Sequence, residues 1–123
     1  MKVAILTIGN EILSGDTINT NSNFICKEIS LQSCSVICEL TVADQSDDIC
    51  QGIDFLVNAG ANLILSTGGL GPTSDDITRK TIFKYFNTEY EFDTKYYSYL
   101  ENRFNQMGRV LPESNKGQAY VPI

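Results

Sequence analysis

The chain has 123 residues, enough for one domain with a real core and short for a complete α/β enzyme. Its composition, 42% hydrophobic and 20% charged, is that of an ordinary soluble globular chain, and 15 acids against 9 bases leave a net charge of −6. That charge removes the attraction behind non-specific binding to nucleic acid or an anionic membrane, so neither is expected as a partner and a bound anion needs a local device.

The first apolar run is broken at Gly9, Asn10 and Glu11, too early for a signal peptide or membrane span, and a cytoplasmic location is expected. Cys26, Cys34, Cys38 and Cys50 form no CxxC pair and histidine is absent, so zinc spacings are missing and reduced thiols are the reading. No haem, flavin or zinc site is expected. Without histidine, Ser-His-Asp and Cys-His catalysis are excluded, leaving carboxylates, lysine or a bound metal for proton chemistry.

Lys2–Ile8 (KVAILTI) is a β-branched apolar run that reads as a buried parallel strand. A helix follows over Thr20–Gln32, with Phe24, Ile25 and Ile29 on one side and Asn19 or Thr20 as cap. Cys34–Val42 is a second apolar strand. Ser46–Ala59 places Ile49, Ile53, Leu56 and Val57 on one helical face, with Gly60 just past its end.

Asn62–Thr67 is a third strand, and Asp75–Phe86 a helix with Ile77, Ile82, Phe83 and Phe86 inward. Three strand-then-helix units predict a parallel sheet with right-handed crossovers. Beyond it come a short strand at Glu89–Phe92, a helix marked by Tyr97, Leu100, Phe104 and Met107 and closed by Gly108, and a terminal extended segment in need of a partner strand.

In a doubly wound sheet, ligands bind where the strand-to-helix loops emerge at the carboxyl ends of the strands. Those loops hold Glu11, Asp16, Asp44, Asp47, Asp48, Asp75 and Asp76 and no lysine or arginine. The loop Gly68-Gly69-Leu70-Gly71-Pro72-Thr73 suits the close approach of a phosphate to backbone N–H groups and a helix N-terminus, although it is neither GxxxxGK[ST] nor GxGxxG. The competing reading is a tight turn in which Thr73 or Ser74 caps a helix and Asp75 and Asp76 favour its dipole.

A carboxylate beside a phosphate is repulsive unless a cation stands between them, which points to a divalent ion bridging an anionic ligand, against the alternative that the acids are merely solvated. Arg79, one turn past Asp75 and Asp76, could neutralise a phosphate, but a salt bridge to either acid is the favoured reading.

GNEILSGDTINTNS (Gly9–Ser22) together with TGGLGPTSDDIT (Thr67–Thr78), Val42-Ala43-Asp44 and the tail Asn115-Lys116-Gly117-Gln118-Ala119 resembles the N-terminal domain of the competence/damage-inducible CinA family, within the molybdopterin-binding fold shared with MogA and MoaB. The resemblance covers nearly the whole chain. It implies a single three-layer α/β/α domain over 1–123 with a mainly parallel sheet, oligomeric in the family, that binds a phosphorylated pterin or nucleotide. The family domain runs on past a segment like Tyr120–Ile123, so the resemblance also implies that the C-terminal part of the domain is missing.

By the same resemblance, Gly68, Gly69, Leu70, Gly71, Pro72 and Thr73, after Thr67, cradle phosphate. Gly9, Asn10, Glu11, Ser14 and Gly15 line the same pocket, and Asn115, Lys116 and Gln118 approach from the tail. Asp44 and Asp76 are the functional acids, with Asp75 a further metal ligand for Mg²⁺, Co²⁺ or Ni²⁺.

Three functions follow as expectations: metal-dependent hydrolysis of ADP-ribose-like pyrophosphates, a molybdopterin or nucleotide-binding module without turnover, and a non-catalytic homo-oligomerisation domain.

Overall fold

The computed structural model describes residues 1–70 and 77–122. The expected roles of Gly71, Pro72, Thr73, Ser74, Asp75 and Asp76 therefore lie outside the described residues. The chain forms two compact units, Met1–Ile82 and a second from Phe83 onward.

In the first unit, β1 (Lys2–Ile8) is the middle of a parallel sheet, flanked by β2 (Ser35–Val42) and β3 (Leu63–Gly68). The middle position explains its near-continuous apolar sequence, since a parallel strand covered on both faces has no solvent side. Val3, Ala4, Ile5, Leu6 and Ile8 are at most 1% exposed. The flanking strands are only half covered and correspondingly mixed in sequence.

The register shows which helix covers which face. Leu6 pairs with Leu40 and Ile8 with Val42. On that face α3 (Ser46–Asn58) packs at Gly52, where an added Cβ would meet Val42 Cγ1 at 3.0 Å and Leu6 Cδ1 at 3.2 Å. Ile5 and Thr7 point the other way with Glu39 and Thr41, and there α2 (Thr20–Ser30) is fastened. Ser22 Oγ donates to the Glu39 carboxylate, and Asn19 Nδ2 donates to Thr7 Oγ1 at 2.9 Å. Helices on opposite faces of one parallel sheet give the three α/β/α layers.

Asn19 also caps α2, accepting from the Ser22 N–H at 3.0 Å. Removing it as Asn19→Ala loses both the cap and the tie to β1, and is expected to cost about 1–2 kcal/mol, read by urea unfolding.

Several helix faces differ from the expectation. Ser22 is buried on α2 while Phe24, a residue away from Ile25 and so about 100° round the helix, is 64% exposed. On α3 the buried set is Ile49, Gly52, Ile53 and Leu56, and Val57 lies outside it. On α4 (Ile77–Tyr85) the buried residues are Thr78 and Thr81, with Ile77, Ile82 and Phe83 half-buried and Phe86 exposed beyond the helix end. Polar side chains face inward there because each has a partner: Thr81 Oγ1 lies 2.9 Å from Ser46 Oγ, and Thr78 meets Asp44.

In the second unit, β4 (Tyr90–Phe92) pairs antiparallel with β5 (Tyr120–Pro122). The terminal segment thus finds the partner strand it needs within the chain. Rings of Phe83, Tyr90, Tyr120, Phe92 and Tyr97 follow one another at centroid distances of 5.5, 5.6, 5.2 and 5.3 Å. Asp93 caps α5 (Thr94–Gln106) by accepting from the Tyr96 N–H at 2.9 Å, and Leu100 is its buried residue, with Met107 exposed. A 3₁₀ segment, Glu113–Ala119, precedes β5. Among the described residues no helix is long and apolar enough to cross a membrane.

Candidate functional site

Three strand-to-helix loops of the first unit meet at the carboxyl edge of the sheet, as parallel topology requires. After β1 the chain turns into the short helix α1 (Asn10–Leu13), pinned where the Gly9 N–H donates to Val42 O at 3.1 Å. Asn10 Oδ1 accepts from the Asp44 N–H at 3.1 Å, joining the first loop to the second. The half-buried Asp44 carboxylate accepts from Thr78 Oγ1 at 3.2 Å, joining the second loop to α4. Asp44 is therefore held from both sides, through its backbone by Asn10 and through its side chain by Thr78 of α4.

The third loop locks onto the same point. Gly68 and Gly69 have φ of +89° and +69°, a region that favours glycine. A Cβ at Gly68 would stand 2.1 Å from Ile8 O, and one at Gly69 would stand 2.1 Å from Thr78 Oγ1. These two glycines are thus required by packing against the end of β1 and the start of α4, whatever binds beyond them.

Beside this junction lies a cavity of about 120 Å³ lined by Thr7, Ile8, Glu11, Asn19, Asn21, Thr67 and Gly68, among others. The Glu11 carboxylate folds back toward Gly9, where a Cβ would fall 2.7 Å from its Oε1. Hydroxyls, amides and one carboxylate on apolar walls suit an uncharged, hydrogen-bonding part of a ligand.

The structure thus gathers Gly9, Asn10, Glu11, Asp44, Thr67, Gly68 and Gly69. Ser14 and Gly15 lie outside the cavity lining; Ser14 Oγ donates instead to Asp16 Oδ2 at 2.8 Å. Asp47 and Asp48 occupy the first turn of α3, where a helix dipole favours acids, and Leu70 is exposed. Asn115, Lys116 and Gln118 belong to the second unit, where Lys116 Nζ lies 5.6 Å from the centre of the Phe92 ring and 4.0 Å from Glu113 Oε1.

Thr78, Thr7 and Asn21 were not singled out as site residues in the sequence, and Asn19 was read there only as a helix cap, because threonines and asparagines carry no periodic signal. Among the described residues no group of three or more Cys, Asp or Glu is placed to hold a metal ion. All four cysteines are free. Burial, then the neighbouring Glu39 carboxylate, pushes the Cys26 thiol above its usual range, a setting for an inert thiol.

A parallel sheet with helices on both faces and loops meeting at its carboxyl edge defines an α/β ligand-binding domain. The chain belongs to the family described as probable molybdopterin binding domain, which matches residues 4–121. Within it, the chain is similar to a Clostridium acetobutylicum protein named as competence-damage inducible, 38% identical over 122 residues that cover 99% of this chain and 29% of that protein. Among solved structures it is similar to the protein CinA of Thermoplasma acidophilum, itself described as of unknown function, with a TM-score of 0.83 and 28% identity over 99% of this chain and 71% of that one. The molybdopterin biosynthesis enzyme MoaB of Thermus thermophilus is similar over 64% of this chain and 53% of its own, with a TM-score of 0.52 and 27% identity. The chain spans about three tenths of the length of the curated relatives it matches, 29% for the first of them.

Proposed function

We propose that the three-loop edge binds a nucleotide-like phosphorylated ligand and hydrolyses an ADP-ribose-type pyrophosphate with the help of a divalent cation. The observation that carries the reading is the fastening of Asp44 by Asn10 and Thr78, which fixes one carboxylate at the meeting point of all three loops. Thr78 occupies one oxygen of Asp44, and the rest of the carboxylate's acceptor capacity suits a hard cation with oxygen ligands. Asp44 and Asp76, aided by Asp75, would hold Mg²⁺, Co²⁺ or Ni²⁺. When bound, such an ion supplies charge neutralisation at the pyrophosphate.

The residues of the chain do the rest. Backbone N–H groups of the Gly68–Thr73 loop bind phosphate, and the cavity at Glu11 and Asn21 takes the uncharged end of the ligand and excludes water from it. Hydrolysis adds water across the P–O–P bond and yields AMP and ribose 5-phosphate. A cytoplasmic setting belongs to the same reading, supported by the four free thiols.

The test is direct: purified protein with each of the three metals is expected to release AMP from ADP-ribose. The family description favours a second reading, a pterin- or nucleotide-binding module without turnover. In that case no AMP appears, yet a pterin, AMP or ADP-ribose raises Tm in step with RT ln(1 + [L]/Kd). Neither AMP nor a Tm shift would defeat both.

A further inference from the structure

The cavity at the first loop is built mainly of neutral hydrogen-bonding groups. Four threonines and two asparagines line it with Ile8, Ile12 and Ile18, and among the described residues of the lining Glu11 alone is charged. None of those residues is aromatic, so a nucleobase or a pterin ring has no partner there to stack on. A volume of about 120 Å³ is room for about four waters at ~30 Å³ each, which suits one small ring and not a whole nucleoside.

Thr7 supplies a donor. It is 4% exposed, and its Oγ1 accepts from Asn19 Nδ2 at 2.9 Å. Among the described residues its own O–H proton meets no acceptor, so a nearly buried hydroxyl is left to donate at the cavity. Glu11 supplies acceptors, since its carboxylate has no hydrogen-bond or ion-pair partner among the described residues. The carboxylate lies over Gly9, where an added Cβ would fall 2.7 Å from Oε1, so the bare backbone at position 9 gives it room. The Thr17 N–H donates to Glu11 O at 3.1 Å and ties the rim of the cavity to the same residue. Two carboxylate oxygens side by side can accept from two adjacent hydroxyls, and their charge repels a phosphate ester on either one.

We infer that this cavity seats the base-free sugar of a nucleoside diphosphate sugar, and that Glu11 selects a sugar whose two adjacent hydroxyls are both free. The inference rests on the proposed phosphate binding at the same edge for what joins the sugar to its nucleotide, whereas the sugar contacts hold or fail on their own. Glu11 is then a specificity-determining residue, and Thr7 donates to an oxygen of the sugar.

Amide NMR titrations with D-ribose and 2-deoxy-D-ribose at millimolar concentration test the sugar site without any phosphate. Ribose is expected to move the amides of Thr7, Glu11 and Asn21 saturably, and 2-deoxyribose to bind at least about tenfold more weakly, because it lacks one hydroxyl that donates to a charged acceptor. Glu11→Ala should erase that preference. Gly9→Ala should erase most of it while keeping the charge, because a φ of 174° suits any residue and the new Cβ only crowds the carboxylate. ADP-ribose, titrated alongside, should move the same amides and bind more tightly than ribose.

Ribose that moves none of these amides overturns the inference, and so does a preference for ribose that survives in both variants. ADP-ribose binding without ribose binding sinks the sugar site and leaves the proposed function standing. Ribose binding without ADP-ribose binding keeps the sugar site and defeats the phosphate reading, and with it the nucleotide half of the inference. Should Glu11→Ala fail to fold in a thermal melt, Glu11→Gln, with one acceptor oxygen in place of two, must still weaken the preference, and an unchanged preference there contradicts the role of Glu11.

Discussion

Gly68→Ala should lower the stability of the protein by about 3 kcal/mol or more, or prevent folding outright. Two costs combine at this position. A φ of +89° disfavours any side chain, and the added Cβ would stand 2.1 Å from the carbonyl oxygen of Ile8, which belongs to the central strand and cannot withdraw. Gly15 separates the two terms. Its φ is also positive, at +83°, but an added Cβ meets nothing within 4 Å, so Gly15→Ala should cost only about 1 kcal/mol. Urea midpoints of the two variants measure the difference. Equal losses would show that the approach of β3 to β1 is looser than the structure has it.

Asp44→Asn should leave the fold almost untouched and lower AMP release from ADP-ribose by about 100-fold or more, with Asp76→Ala at least as damaging. The amide keeps an oxygen to accept from Thr78, and the backbone N–H still donates to Asn10, so loop geometry survives while the charge that a cation needs is gone. Stability measured alongside turnover distinguishes this from simple unfolding. An Asp44→Asn protein with wild-type turnover would place the functional charge elsewhere.

The parts of the fold legible in the sequence are those where burial imposes a pattern. β1 is covered on both faces and so reads as an unbroken apolar run with the expected bounds, Lys2–Ile8. α3 shows its face through Ile49, Ile53 and Leu56, and the glycines at 60 and 108 close α3 and α5 in the left-handed conformation.

What escaped were places where a polar or minimal side chain does the packing. Thr78 and Thr81 are 2% and 5% exposed, yet a hydrophobic pattern points past them to Ile77 and Phe86. Gly52, buried so that α3 can approach Leu6, carries no side chain to signal its face.

The site divides in the same way. Asp44 was visible because an acid directly after a predicted parallel strand falls at the ligand edge of the sheet. Its two anchors were only half visible: Asn10 sits in the first motif, whereas Thr78 resembles an ordinary helical residue. The glycine pair changed its meaning. Gly68 and Gly69 read as a phosphate loop in sequence, and in the structure each is already required by a neighbour within the fold, Ile8 and Thr78. The glycines alone are therefore no argument for phosphate binding.

Asp44, fixed by Asn10 and Thr78, is proposed to work with a divalent cation on a phosphorylated ligand. Calorimetric titration of ADP-ribose into the protein, with Mg²⁺ and again with chelator, tests it most directly. Saturable binding is expected, at least about tenfold tighter with the metal, and that dependence should be lost in Asp44→Asn. Binding indifferent to both metal and Asp44, or none under either condition, would contradict it.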